Sequence, residues 1–326
     1  MRLFYNPAKQ RVNIVVKDHV LRFSYNDSNS MDAIQYYGEY VLPSGLIKEG
    51  RVQDAAAFSA IMEEMVEEYK WKGKRLYFCV PDASVVIKEH KAPSKIEASE
   101  MKGYLYMQLG EGLHLPFDNP VFDFHIIEEG EESTHILLFA YPEEHIRLYE
   151  RVFEEVKLKP KAADISSLSL YRLFEESGVA AAEDHIMCVQ WNIDGGVVSV
   201  FHEHRPIFTN YMTTPLEQSS FAQMGDALAP LQFQGEFQDV DAYIHDQLME
   251  IERLMDFYRY SVSKGKASIT NVIMIGDFPN IEGIVHRSQE RFSVPVNVLE
   301  PKHFLDKDGN QLPATLAETI GLAIKP

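Results

Sequence analysis

The chain has 326 residues and carries 31 Lys and Arg against 49 Asp and Glu, a net charge of −18. That length exceeds the usual limit of one hydrophobic core, so two domains of ordinary size are expected. The acid excess repels phosphate backbones, which argues against nucleic-acid binding and points to a basic partner surface. The opening MRLFYNPAKQR lacks the apolar core of a signal peptide, and the longest apolar runs, such as 136–141, are too short to span a bilayer, so an unexported, soluble chain is expected. Cys79 and Cys188 each sit inside an apolar strand pattern, which reads as buried thiols in a reducing compartment.

The first half opens with strand patterns at 12–16, 20–25 and 34–42, the first two joined by a turn at Lys17-Asp18. Asp54 can cap a helix whose Phe58, Ile61, Met62, Met65, Val66 and Tyr69 follow helical spacing as far as Gly73. A strand at 76–80 stops at Pro81. The next section has its own mixed pattern, a strand over 85–89 followed by Ser94-Lys95-Ile96-Glu97, a capping box opening a helix through Leu109. Strands at 121–127 and 135–140 follow, and Pro142 then opens a helix carrying Ile146, Tyr149, Val152, Phe153 and Val156. This section, about 83–158, is expected to be an inserted subdomain. A strand at 162–165, a helix from Ser166 to Gly178 and an Ala-rich linker at 180–184 end the half.

Residues 186–212 start the same motif again. Ile186, Cys188, Val189 and Trp191 make a strand, Asp194-Gly195-Gly196 supplies the residues tolerant of positive φ that a tight hairpin needs, and strands at 197–201 and 207–212 return. A polar stretch at 217–238 precedes a long acidic helix over about 239–263, with Tyr243, Leu248, Ile251, Met255, Tyr258 and Val262 on one side. Strand 272–275, helix 281–292, strand 294–299 and a closing helix at 313–324 complete the pattern. Three strands, helix, strand, helix, strand, helix is the ribonuclease-H-like order that actin-like proteins carry twice. The expected fold is therefore α/β and actin-like, with halves at 1–182 and 183–312 facing each other across a cleft. A long-helix subdomain at about 214–267 and a closing segment, 313–326, that packs back on the first half are expected with it.

Several segments carry a family resemblance: Gly50-Arg51-Val52, Val80-Pro81, Val85-Val86-Ile87-Lys88, Leu115-Pro116-Phe117, Val121-Phe122-Asp123-Phe124 and the closing Ala317-Glu318-Thr319-Ile320-Gly321-Leu322-Ala323. On these residues the chain resembles the PilM family of type IV pilus assembly proteins, relatives of FtsA in the actin-like superfamily. The resemblance implies a cytoplasmic scaffold that works with other pilus assembly proteins. It would be held peripherally at the inner face of the membrane by the short N-terminal tail of a PilN-like membrane protein. In that family the tail lies between the first domain and the insertion, so the resemblance assigns its walls to Val85 and Ile87 and to Met101, Tyr104, Leu105 and Gln108. Tyr104 and Gln108 share a helix face, whereas Met101 and Leu105 can equally pack the insertion's own core.

An actin-like nucleotide site needs three loops, and all three depart from the pattern here. The first phosphate loop normally runs Asp-x-Gly followed by small hydroxyl residues, whose amides approach the phosphate. This chain has Ile14-Val15-Val16-Lys17-Asp18-His19 instead. The second loop falls near Gln190 and Asn192, with Asp194 slightly out of register, and the purine loop keeps one glycine in Gly276-Asp277. A missing phosphate nest and an acidic side chain both act against an anionic ligand, so the expectation is a vestigial cleft with no ATP, no other cofactor and no catalysis. His202-Glu203-His204 holds a metal-like pair of imidazoles with nothing to complete a site, and Asp241, Asp246, Glu250 and Glu252 spread around a polar helix face. No metal is expected. An active ATPase of the same fold and an FtsA-like filament former are the alternatives, the latter usually ending in an amphipathic helix that is not found before Pro326.

Overall fold

β1 (Arg11–Val16) and β2 (Val20–Asn26) are buried at every position, because the sheet they start is covered on both faces. The computed structural model describes residues 10–223, 231–299, 304–306 and 308–326; residues 1–9 of the opening segment and 224–230 of the polar stretch lie outside these. β3 (Ile34–Val41) continues the antiparallel meander, and a small hairpin of β4 (Ile47–Lys48) and β5 (Arg51–Val52) leads into α1 (Ala55–Glu68). Asp54 caps that helix as its sequence predicts, its carboxylate accepting the Ala57 N–H at 3.0 Å. β6 (Arg75–Val80) then runs parallel beside β1.

An insertion leaves the sheet at this point. β7 (Val86–Pro93), α2 (Ala98–Met107), β8 (Pro120–Glu129) and β9 (Ser133–Pro142) form a three-stranded antiparallel sheet in the order β7-β9-β8, under one helix. The expected capping box does not form. The Ser94 hydroxyl donates to the Glu131 carbonyl at 2.8 Å instead, and Glu97 takes the N-cap position with no side-chain bond. α3 (Glu143–Glu155) follows, and its Tyr149, Val152 and Phe153 pack with Phe58 and Phe78 in the core of the first sheet. By packing, then, the insertion ends near Pro142 rather than at 158.

β10 (Lys159–Ile165) closes the first sheet, whose order is β10-β6-β1-β2-β3, and α4 (Ser166–Glu176) leads out of it. The second half lays down β11 (Ile186–Asn192), β12 (Gly195–His202) and β13 (Arg205–Met212), then a small pair, β14 (Phe221–Gln223) with β15 (Leu231–Phe233). α5 (Phe237–Asp256) covers this sheet and passes into a π-helical segment, Phe257–Val262, where an unbroken α-helix was expected. β16 (Asn271–Gly276), α6 (Ile281–Arg291), β17 (Val296–Val298) and α7 (Ala317–Ala323) complete the chain. The second sheet has the order β13-β12-β11-β16-β17 and repeats the first strand for strand.

One core joins the halves. Leu170 and Phe174 of α4 and Leu316, Ile320 and Ala323 around α7 pack with Ile186, Cys188, Phe201, Ile273 and Ile275 of the second sheet. α7 also lies against β1, β2 and β6, so the closing helix belongs to the seam between the halves and to the first sheet at once. Among the described residues no helix is long and apolar enough to cross a membrane.

Candidate functional site

The parallel strands of the two sheets end at a common cleft. There the β1–β2 turn meets the β11–β12 turn and the loop after β16, and charged groups interlock across it. The Asp18 N–H donates to Asp194 Oδ2 at 3.0 Å, while the Asp18 carboxylate accepts from the backbone N–H groups of Glu49 (2.5 Å) and Gly50 (2.8 Å). Asp277, from the second half, is held by two side chains of the first: His19 Nε2 at 2.8 Å and the Arg22 guanidinium at 2.6 Å. Its other oxygen accepts from the Ile193 N–H at 3.0 Å. Arg22 also reaches Glu39 at 3.1 Å.

Lys17 anchors a second group in this network. Its ammonium is 3.0 Å from Glu318 on α7 and 3.7 Å from Asp82, and only 3% of the side chain is exposed. The Ser166 hydroxyl donates to Asp82 at 2.5 Å and accepts from Gln190 Nε2 at 3.0 Å, so the expected loop residues Lys17 and Gln190 are tied to one carboxylate. Burial acts to lower the lysine's pKa, but the carboxylates of Glu318 and Asp82 outweigh it and the ammonium is held charged. For Asp277, burial acts upward while His19 and Arg22 pull harder downward, leaving it well below the usual carboxylate range. Asp18 is pushed up to about 6 by burial and by Asp194, against the two backbone N–H bonds. Asp82 also rises to about 6 through burial, with Lys17 opposing and Glu318 adding.

Little room is left where phosphates would sit. The void bounded by Lys17, Asp18, Gly50, Asp82, Asn192 and Asp194 measures about 10 Å³, enough for about one water. The surviving glycine of the purine loop has a packing reason to be there. Gly276 has φ +142°, and a Cβ on it would lie 1.8 Å from the Trp191 carbonyl oxygen. Arg22, Glu39, Asp82 and Glu318 are not singled out by the sequence, although two of them carry a signal. Arg22 is a charge inside the fully buried VLRFSYN strand, and Glu318 is one inside the otherwise apolar closing helix.

A larger space, about 620 Å³, opens between the first domain, the insertion and the second half. Arg51, Val85, Phe117, Asn119, His145 and Tyr211 are among the residues lining it. β7 and β13 are outer strands of separate sheets and run near one another here. His145 Nδ1 is buried without a hydrogen-bond partner among the described residues. Burial and then the Arg51 charge lower that histidine's pKa, against Glu144. Of the six residues expected to wall the partner groove, Val85 borders this space and the other five do not. Met101 and Leu105 are fully buried in the insertion's core with Phe122, Ile136 and Leu138, and Tyr104 packs against the same core beside His90. Ile87 is buried. Gln108 ends α2, its carbonyl accepting from Gly112 and Leu113. Their place has a simple cause, since the apolar stripe of α2 is consumed by the small sheet beneath it, leaving the loop at 116–119 to line the space.

The remaining constellations resolve structurally. His202 stacks on His185 at 3.8 Å, while His204 turns away to Tyr171 at 3.1 Å, so the two imidazoles of the triplet do not converge. Asp241 pairs with Arg287, Glu250 with Arg253 and Glu252 with Arg291 on the outer face of α5. Cys79 and Cys188 are free and buried.

The family model described as type IV pilus assembly protein PilM matches residues 19–213, more than half of the chain. No curated protein matches it in sequence. Among solved structures, the one described as the PilM-PilN type IV pilus biogenesis complex is similar over 97% of this chain and 99% of that one, with a TM-score of 0.74 and 14% identity. The ethanolamine utilization protein EutJ of Carboxydothermus hydrogenoformans is similar over 98% of this chain and 91% of its own, with a TM-score of 0.54 and 10% identity. An MreB of Spiroplasma citri bound to AMPPNP reaches a TM-score of 0.50 at 7% identity, over 95% of this chain and 94% of that one. The fold is actin-like, and the chain belongs to the type IV pilus assembly protein PilM family.

Proposed function

We propose that this protein is a non-catalytic adaptor of type IV pilus assembly. In this reading, the space between its first domain, its insertion and β13 receives the extended N-terminal tail of a PilN-like membrane protein. One contrast carries the reading. About 10 Å³ remains in the phosphate end of the cleft, against about 620 Å³ beside the insertion. A triphosphate would have to displace Lys17 from Glu318 and Asp82 and would bring its charge to a network richer in carboxylates than in cations, at a cost far above that of an ordinary binding contact. The larger space instead offers what an extended peptide needs: two strand edges, an apolar wall at Val85 and Phe117, and an unpaired imidazole nitrogen on His145. The partner comes from the similar solved structure, described as a complex of PilM with PilN.

A synthetic peptide of the partner's N-terminus, titrated by calorimetry against wild type, Val85→Arg and Phe117→Ala, tests the assignment. Both variants should lose affinity at least about tenfold, as expected for removing or blocking an apolar anchor, while Tyr104→Ala, outside the space, binds as wild type does. Unchanged affinity in folded Val85→Arg and Phe117→Ala would place the tail elsewhere. On a chain of net charge −18, a basic tail should also lose affinity as salt rises.

A further inference from the structure

The lysines are not spread evenly, and the end of the first sheet away from the cleft carries a cluster of exposed ones. α1 and α3 lie side by side and stop at that end, each on a lysine in left-handed conformation, Lys70 (φ 57°) and Lys157 (φ 67°), where glycine is the usual residue. The following apolar residue tucks back in both cases, the Trp71 N–H donating to Val66 O and the Leu158 N–H to Phe153 O, both at 2.9 Å. Backbone bonds then join the two segments. The Gly73 N–H donates to Lys157 O at 2.7 Å and the Lys159 N–H to Lys74 O at 2.9 Å. As a result Lys70, Lys72, Lys157, Lys159 and Lys161 are all exposed on one end of the domain, and the register sets Arg11, Arg75 and Lys159 on a line across three strands behind them. No ion pair joins any of the five lysines to a carboxylate among the described residues.

Four of the five lysines have a partial structural explanation. A cation suits a helix C-terminus, which accounts for Lys70 and Lys157. β10 is an outer strand, and lysines on such a strand deter edge pairing, which accounts for Lys159 and Lys161. Neither explanation covers Lys72, nor why all five converge on one surface of so acidic a molecule. The nearest carboxylates in sequence, Glu67, Glu68, Glu154 and Glu155, close the last turns of the two helices two to three residues before Lys70 and Lys157 and offset part of this charge. The carboxylates of the cleft lie a strand length away, about 20 Å for six residues, beyond the screening length of about 8 Å at physiological salt.

We propose that this lysine-rich end of the first domain rests directly on an anionic lipid bilayer, a contact additional to any tether supplied by a membrane partner. The chemistry favours lipid over an acidic protein groove. The exposed cations are flexible point-charge lysines rather than guanidinium forks, and the neighbouring aromatic Trp71 is fully buried, so the surface suits smeared, mobile phosphate charge. The partner space lies by the N-terminus of α3 and the lysines by its C-terminus, about 20 Å apart for a 13-residue helix. That distance is spanned by about six extended residues of a tail.

Sedimentation of the purified full chain with vesicles tests this without any partner, so its outcome is independent of the tail assignment. Wild type should partition onto phosphatidylglycerol-containing vesicles at about 50 mM salt, stay in solution with pure phosphatidylcholine, and be released at about 0.5 M salt. Lys72→Glu, Lys159→Glu and Lys161→Glu together, chosen to avoid the two left-handed positions, should weaken the partition about a hundredfold or more, because each neutralised lysine is worth about fivefold near such a surface. An unchanged melting transition confirms that the triple variant is folded. Equal binding to both vesicle types, triple-variant binding equal to wild type, or capture by immobilised polyglutamate without vesicle binding would each overturn the proposal.

Discussion

At the scale of single residues, Lys17 decides what the cleft can do. A buried ammonium is costly unless paired, and here Glu318 and Asp82 supply the pairing from two different elements. Lys17→Ala should therefore leave two buried carboxylates without their cation and cost about 3–5 kcal/mol in chemical unfolding. Lys17→Met combined with Glu318→Gln should cost less than the sum of the single changes, which a double-mutant cycle reads directly. The raised carboxylates give a pH signature. Asp18 and Asp82 titrate near 6 in the folded chain and near 3.9 when unfolded. The folded state therefore binds more protons between about pH 4 and 6, and the contribution of these groups grows as pH falls through that window and is lost as pH rises through about 6. Asp277, held low, reverses the trend only in stronger acid. Calorimetric melting of wild type and Asp82→Asn between pH 7.5 and 5.5 checks this, with a shallower pH dependence expected in the variant.

At the scale of elements, α4 and α7 meet backbone to backbone. Gly321 lies where a Cβ would come within 2.0 Å of the Ser169 carbonyl oxygen, and Ser169 Oγ donates back to Glu318 O at 2.7 Å. Gly321→Ala should push the two helices apart and lower stability by about 2–3 kcal/mol or more, measured by denaturant unfolding, because backbone rather than a flexible side chain is struck.

Elements were also what the sequence disclosed best. The two strand meanders, their crossover helices and the Asp54 cap follow from apolar spacing and turn residues alone, because those signals are local. Hydrophobic spacing announces a buried face but not its neighbour. It therefore could not assign Tyr149 and Phe153 of α3 to the first sheet, nor tell that Met101 and Leu105 face the insertion's own sheet. The π-helical segment after α5 was likewise hidden, since Tyr258 is tied through its hydroxyl to His185, a residue 73 positions away. The departures of the three loops were legible in the sequence, whereas the ion network there needed Arg22, Asp82 and Glu318 to be brought in from separate elements.

At the scale of the molecule, two copies of one sheet topology are clasped by charge at the cleft and by a shared apolar seam behind it. Tyr211 lines both the small void and the larger space, and its hydroxyl donates to the Asp194 carbonyl at 2.5 Å, so the peptide-sized space and the small void share a wall. In the proposed reading, such a protein keeps the actin-like frame as a support for a partner's tail and has exchanged its phosphate cradle for an internal salt network. Calorimetric titration of the purified chain with magnesium and ATP addresses that exchange most directly. No saturable heat up to millimolar nucleotide is the predicted result, and a dissociation constant in the low micromolar range would contradict it.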